Sequence, residues 1–321
     1  MTPGAVLWYL VRRAGLLVIA LAVASMLDFA LLRLLPGDVA ETIGGLDATP
    51  ERMAAIRADL GLDRSLPEQY LSWIGGVVRG DFGHSQLNGT SVGAELGQKL
   101  TVTGPLVFGA LLVALCLAVP LGTWAALRNR SRVGGTVNAV SQLGVAIPGL
   151  WLAMLLVLLF AVQLPWLPAQ GFPVDGWAEP GEALRSLVLP CLALGLTEGA
   201  VLVRFVRSAI LGVLFSDYLR TARAKGLTRT QALLRHGFRN AAVPVTAILG
   251  LQVATSIVGA VVIERVFTMP GVGSMLLADV GNRDLVKVQG EVLLIVAAVL
   301  VIGFAVDIVH RLIDPRLEVR V

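Results

Sequence analysis

Charge is scarce in this sequence. Of its 321 residues, 22 are Asp or Glu and 26 are Lys or Arg, 15% in all, while 56% are hydrophobic. A soluble domain has roughly a quarter of its residues charged, so the bilayer is the solvent that suits this chain. Cysteine is almost missing: Cys116 and Cys191 both lie inside apolar runs, which argues against a disulfide framework and suits small packing residues. The three histidines, His84, His236 and His310, are scattered with no Cys or carboxylate at ligand spacing, so no metal centre is expected. A G-x-x-x-x-G-K-[ST] phosphate loop, an H-E-x-x-H helix and a G-x-S-x-G elbow are all missing, and with them the usual routes to ATP binding, zinc proteolysis and serine hydrolysis. The Gly-rich "GGVVRGDFG" does not lie between a strand and a helix, which makes it a poor nucleotide loop.

What the chain does contain is long apolar runs. The first, "YLVRRAGLLVIALAVAS" continuing through "MLDFALLRLL" to Leu35, is too long for the h-region of a signal peptide and reads as an uncleaved span. Five more are expected near Val102–Leu127, Val137–Leu164, Leu184–Val203, Ala241–Ile263 and Val292–Val309. Backbone groups in lipid must be satisfied internally, and the alternation of a membrane barrel is missing, so the fold class is an all-α integral membrane protein with six transmembrane helices. Pro148 and Pro190 are expected to kink the third and fourth.

The loops set the orientation. Arg12 and Arg13 precede the first span, Arg128, Arg130 and Arg132 follow the second, and residues 204–240 hold eight bases against one acid, Asp217. By contrast, residues 36–100 hold nine acids and five bases, and residues 165–186 three acids and one base. The bias places both termini in the cytoplasm. The chain then divides into 1–35, a cytoplasmic start and first span; 36–100, an external segment; and 101–321, a five-helix core with the basic loop 204–240. Within the external segment Thr49 and Pro50 open one amphipathic helix, and "SLPEQYLSWIGGVVRG" forms a second with Tyr70, Trp73 and Ile74 on one side.

The basic loop is organised. "DYLRTARAKG" reads as a helix closed by Gly226, with Leu219, Ala222, Arg223 and Gly226 along one face, where the small Ala222 and Gly226 permit close approach by a partner. Thr228 caps a second helix, "TRTQALLRHGFRN", that returns to the membrane. The hairpin is either a docking element or a solvated loop whose bases set topology and touch anionic lipid.

This segment resembles the cytoplasmic loop of ATP-binding-cassette importer permeases, in which E-A-A, three residues and Gly are followed by a Pro. Here the pattern is Arg220-Thr221-Ala222, Arg223-Ala224-Lys225, Gly226 and, eighteen residues on, Pro244, with Arg220 in place of Glu. "YLRTARAKGL" is similar to the branch importing dipeptides, oligopeptides and nickel, as are "LLPGD" at Leu34–Asp38, Gly61–Ser85, Leu164–Phe172, Glu264–Leu276, Asn282–Gly290 and "DPR" at Asp314–Arg316. Gly303 departs from the branch's "N-L-x-x-D", although Asp307 is retained. The resemblance implies a type I importer permease of a bacterial inner membrane, using no cofactor itself. ATP and Mg would be held by two partner ATPase subunits, which dock on Leu219, Arg220, Thr221, Ala222, Arg223, Ala224, Lys225 and Gly226. A second homologous permease, an extracytoplasmic substrate-binding protein and membrane lipid complete the implied partners; nucleic acid is not among them.

Glu198 lies well inside the fourth span. Charge there is costly and normally faces a protein interior or a wet cavity. It is a candidate pathway residue or a buried partner of Arg204 or another polar group. Asp28 and Arg33 lie near the outer end of the first span and can pair or snorkel. The competing function, a gradient-driven secondary transporter, predicts inverted repeats or midplane helix breaks, and no clear repeat is present.

Overall fold

A computed structural model describes residues 3–34, 49–59, 63–129 and 131–313, and the chain is helical throughout, with no strand among the described residues. The "LLPGD" motif beyond Leu34, the "DPR" motif and Arg130 lie outside the described residues.

Helix α1 (Pro3–Leu34) is the first span. Two short helices follow, α2 (Pro50–Asp59) and α3 (Leu66–Val78). Their starts follow from the sequence: the Thr49 Oγ1 accepts from the Arg52 N–H at 3.3 Å, and the Ser65 N–H donates to Glu68 Oε2 at 3.2 Å, each satisfying an otherwise orphaned donor. Tyr70 and Trp73 of α3 close over Phe29 of α1, with ring centroids 5.6 and 5.9 Å away, and Tyr70 shares a 2.8 Å hydrogen bond with Ser25.

The second span begins earlier than its apolar run. Helix α4 (Val92–Leu127) starts at the Ser91 cap, so the last residues of the 36–100 segment already belong to it. The third expected span is broken: α5 (Arg132–Ala146) and α6 (Gly149–Val157, extended by a π-helical turn over Leu158–Gln163) meet at 98°. Pro148 lies at the break and caps α6, since it can neither donate to the ladder nor let Ile147 stay helical. Pro190 does not do this. It sits inside the continuous α7 (Pro180–Leu214), where the freed carbonyl is tolerated among packed neighbours. The basic hairpin is α8 (Asp217–Ala224) and α9 (Arg229–Ala232), which runs through a π-helical turn, Leu233–Gly237, into α10 (Phe238–Val266). A further short helix, α11 (Val272–Asn282), precedes the last span, α12 (Leu285–Ile313).

The core of this bundle is the seam between α4 and α7. On α4, Ala110, Ala114, Ala118, Gly122 and Ala126 recur every fourth residue and all are buried. On α7 they meet Gly195, Gly199 and Val206: a Cβ on Gly195 would lie 2.6 Å from the Ala110 carbonyl oxygen, and one on Gly122 2.8 Å from the Val206 side chain. Lipid tails give no hydrophobic reason for helices to associate, so close backbone packing through small residues supplies the attraction. The row i, i+4 on both helices is the ridge that allows it.

The last two helices are fixed by buried polar groups. Glu264, at the end of α10, is fully buried. Its Oε1 accepts from Thr103 at 2.5 Å and its Oε2 from the Ser274 N–H at 2.9 Å. A carboxylate there suits the positive end of α11. Gly271 is required, because a Cβ would fall inside the Glu264 carboxylate. Lys287 of α12 pairs with Glu95 of α4 at 2.6 Å and with Asp279 of α11 at 3.5 Å, and Ser85 donates to Asp284 at 2.5 Å. The segment before α4 is thereby tied to the last span.

The seam gives a direct test. Gly195→Val forces a side chain into the α4 backbone, and overpacking of this kind costs about 1–3 kcal/mol. The unfolding midpoint in a denaturing-detergent titration should fall, while Gly97→Val, whose Cβ would meet nothing within 4 Å, should leave it in place. Equal midpoints for both variants would contradict the seam.

Candidate coupling site and intramembrane polar contacts

The α8 hairpin is shaped by local rules. Ser216 precedes it in extended conformation, and Gly226 ends it at φ +96°, a backbone state open to glycine. Thr228 and Gln231 then form a reciprocal cap: Gln231 N–H to Thr228 Oγ1 at 3.3 Å and Thr228 N–H to Gln231 Oε1 at 3.0 Å. The hairpin is held to the bundle. Arg229 donates to the Leu127 carbonyl at 3.0 Å, at the end of α4, and Asn240 donates to the Tyr218 hydroxyl at 2.9 Å.

The structure divides the eight candidate residues differently from the face read in the sequence. Leu219 is fully buried, and with half-buried Ala222 it packs into an apolar cluster with Ile210, Leu214, Ala232 and Leu233. A Cβ on Gly237 would stand 2.7 Å from Val213 and 3.4 Å from Leu219. Ala222 is thus partly covered by the chain itself, while Gly226 stays exposed. Arg220, Thr221, Arg223, Ala224, Lys225 and Gly226 are exposed and form the outward surface. The Arg220–Asp217 pair at 3.2 Å is solvated and worth little.

Glu198 lies on the buried side of α7, and Arg204 is exposed on the same helix, so the expected Glu198–Arg204 contact is not made. Its Oε1 instead accepts a hydrogen bond from Ser256 of α10, and Gln252 donates to its backbone carbonyl at 2.7 Å. Glu198 Oε2 and Gln252 Oε1 are buried without a donor, an arrangement that is expensive in a low dielectric. The broken span passes next to this site: a Cβ on Gly149 would lie 3.5 Å from Thr197 Oγ1, and one on Gly144 2.9 Å from Ala200.

Some contacts had no clear signal in the sequence. Arg13, read only as a topology marker, pairs with Asp307, joining α1 to α12, while Gly303 faces open space. Arg311 lies over Tyr9 at 5.0 Å and Arg33 over Phe29 at 5.2 Å. Asp28 is buried, and Cys191 packs on Gly109. No group of three or more His, Cys, Asp or Glu among the described residues could hold a metal ion.

Comparison with known proteins gives two family matches. The model described as binding-protein-dependent transport system inner membrane component matches residues 118–319, and that of the N-terminal part of such membrane components matches residues 6–109. Among similar proteins are the dipeptide transport system permease protein DppB of Escherichia coli K12, 34% identical over 97% of this chain and 99% of its own length. The di/tripeptide permease DppB of Pseudomonas aeruginosa is 36% identical, and the glutathione permease GsiC of Salmonella typhimurium 37%, each over 97% of this chain and 98% of its own length.

Leu219→Ala removes a fully buried side chain and should destabilise the hairpin by about 2–5 kcal/mol. Amide exchange over residues 217–237 should accelerate, while the α4–α7 seam stays protected. Unchanged exchange would place Leu219 outside the core.

Proposed function

The chain belongs to the family of binding-protein-dependent transport system inner membrane components, and from that we propose how it works and what it carries. It is the permease subunit of an ATP-driven importer and not an enzyme, since ATP hydrolysis in this family lies on separate subunits. We place the exposed face of α8, Arg220, Thr221, Arg223, Ala224, Lys225 and Gly226, against an ATPase subunit that binds ATP and Mg. Leu219 and Ala222 fix that face to the bundle from within. The observation that carries this reading is the two-residue link from α7 to the hairpin, Phe215 and Ser216, with the Ser216 Oγ donating to the Val213 carbonyl at 2.6 Å. Force applied to α8 therefore reaches α7 with little slack.

The cargo we propose is a short peptide, supported by the dipeptide, di/tripeptide and glutathione permeases that resemble the chain along nearly its whole length. A binding protein delivers it to the 36–100 segment, a second homologous permease forms the other wall of the pathway, and both termini face the cytoplasm, in keeping with the charge bias of the loops. The 101–321 core carries the pathway, with the 1–35 span packed beside it. Glu198 lines or borders that pathway, supported by its unpaired Oε2 near the break in the third span.

Two experiments test this. Ala224→Trp puts bulk on the outward face, so ATPase co-purification and peptide uptake should both be lost while membrane insertion persists; normal co-purification would sink the docking face. Glu198→Cys, with Cys116 and Cys191 replaced, should react with a small water-soluble thiol reagent in either the ATP-bound or the nucleotide-free complex. Protection in both states would make Glu198 a buried contact only.

A further inference from the structure

The link between the third and fourth spans borders an open cavity of about 480 Å³, opposite to the basic hairpin along α7. One wall is the proline-rich stretch with Leu167, Pro168, Phe172 and Pro173; the other is the first turns of α7 with Glu182 and Arg185. That volume lies in the range of small-molecule sites, about 300–1,000 Å³, and has room for a dipeptide or tripeptide.

The wall is pinned from several sides. The Gly171 N–H donates to the Phe267 carbonyl at 2.7 Å, Trp177 Nε1 to the Thr101 carbonyl at 2.8 Å, and Arg185 to the Trp166 carbonyl at 2.6 Å. Phe172 and Trp177 meet edge to face at 5.9 Å, and Leu167, Phe172 and Trp177 rest on the apolar core between α4, α7 and α10. A cavity held this way needs little ordering when a ligand enters.

Its two charges are notable for being separate. Glu182 and Arg185 are exposed and one helical turn apart, yet they form no ion pair with each other. Glu182 makes no hydrogen bond or ion pair to any described residue. The single bond from Arg185 to Trp166 leaves most of the five guanidinium donors available. An acid and a base on one wall, with apolar and proline surface opposite, match a molecule that carries both an ammonium and a carboxylate next to a side chain.

We propose that this cavity is a receiving subsite for the zwitterionic peptide: Glu182 takes its ammonium terminus, Arg185 its carboxylate, and the Leu167–Phe172 wall its side chain. This deepens the peptide reading above and rests on it. The site holds the cargo between release from the binding protein and entry into the pathway, and it commits the molecule by its termini rather than by its side chains. A loop of the binding protein could fill the same space, and the test below separates the two.

The experiment uses the assembled transporter in proteoliposomes with its binding protein and ATP, following uptake of dialanine, N-acetyl-dialanine and dialanine amide against the concentration of loaded binding protein. For Glu182→Gln, kcat for dialanine should fall about twofold to fivefold, the upper part of the range for losing one solvent-exposed ion pair. KM for the loaded binding protein should stay unchanged, and the preference for dialanine over its N-acetyl form should disappear. Arg185→Lys, which keeps the charge, should retain more dialanine transport than Arg185→Gln and should still prefer dialanine to its amide. A raised KM for loaded binding protein with kcat intact would overturn the proposal and make the cavity a docking contact. Unaltered kcat and unaltered preference in Glu182→Gln would overturn it as well. If the wild-type complex carries none of the three peptides but does carry another solute, the peptide reading itself fails and the subsite with it.

Discussion

Everything in this bundle depends on how closely α4 approaches α7. The alanine and glycine row from Ala110 to Ala126 lets two backbones touch along the membrane, and in lipid that contact is the principal attraction available. The two helices are 36 and 35 residues long, and the small-residue row covers about 24 Å of their ~50 Å length. One unit therefore reaches from the cavity beside Glu182, past Glu198, to the hairpin. Packed cores do not deform continuously, so on the docking proposal above a push on α8 would move this unit as a whole.

Polar groups fasten the remaining helices to that unit at defined points. Glu264 closes the start of α11 and reaches Thr103 of α4; Lys287 ties α12 to Glu95; Ser256 and Gln252 hold α10 against Glu198; Arg13 and Asp307 join the first span to the last. Each removes a charge or donor from lipid by giving it a partner. Among the exceptions are Glu198 Oε2 and Gln252 Oε1 in the middle of the bundle, and both carboxylate oxygens of the fully buried Glu291 on α12. Unsatisfied groups of that kind are retained more readily where a pathway supplies water or cargo.

The membrane class was legible because apolar run length is a strong signal, and the described residues carry five to six spans where six were expected. The hairpin was legible because Gly226 and Thr228 obey local capping chemistry. The face of α8 was not. Periodicity groups Leu219 with Ala222, Arg223 and Gly226, but it cannot say which of them meet the chain itself: Leu219 is buried beside Gly237, while Arg223 and Gly226 stay exposed. Proline's degree of effect was not legible: both were expected to kink, and Pro148 lies at a full break while Pro190 sits inside a continuous helix. The small-residue seam was present in the sequence as a four-residue repeat, hidden in a run where every residue is apolar. The Arg13–Asp307 pair links positions 294 residues apart, beyond any local pattern.

The most direct measurement is a distance between spin labels at Leu112, exposed on α4, and Asp217, exposed at the start of α8 and outside the proposed docking face, in the assembled transporter with and without ATP. If α4, α7 and the hairpin move as one unit, the distance should hold within about 2 Å, the scale of small helix adjustments, while transport remains coupled to ATP. A nucleotide-dependent change on the scale of a full helical turn, about 5 Å, would show the hairpin moving independently of the seam and contradict the account.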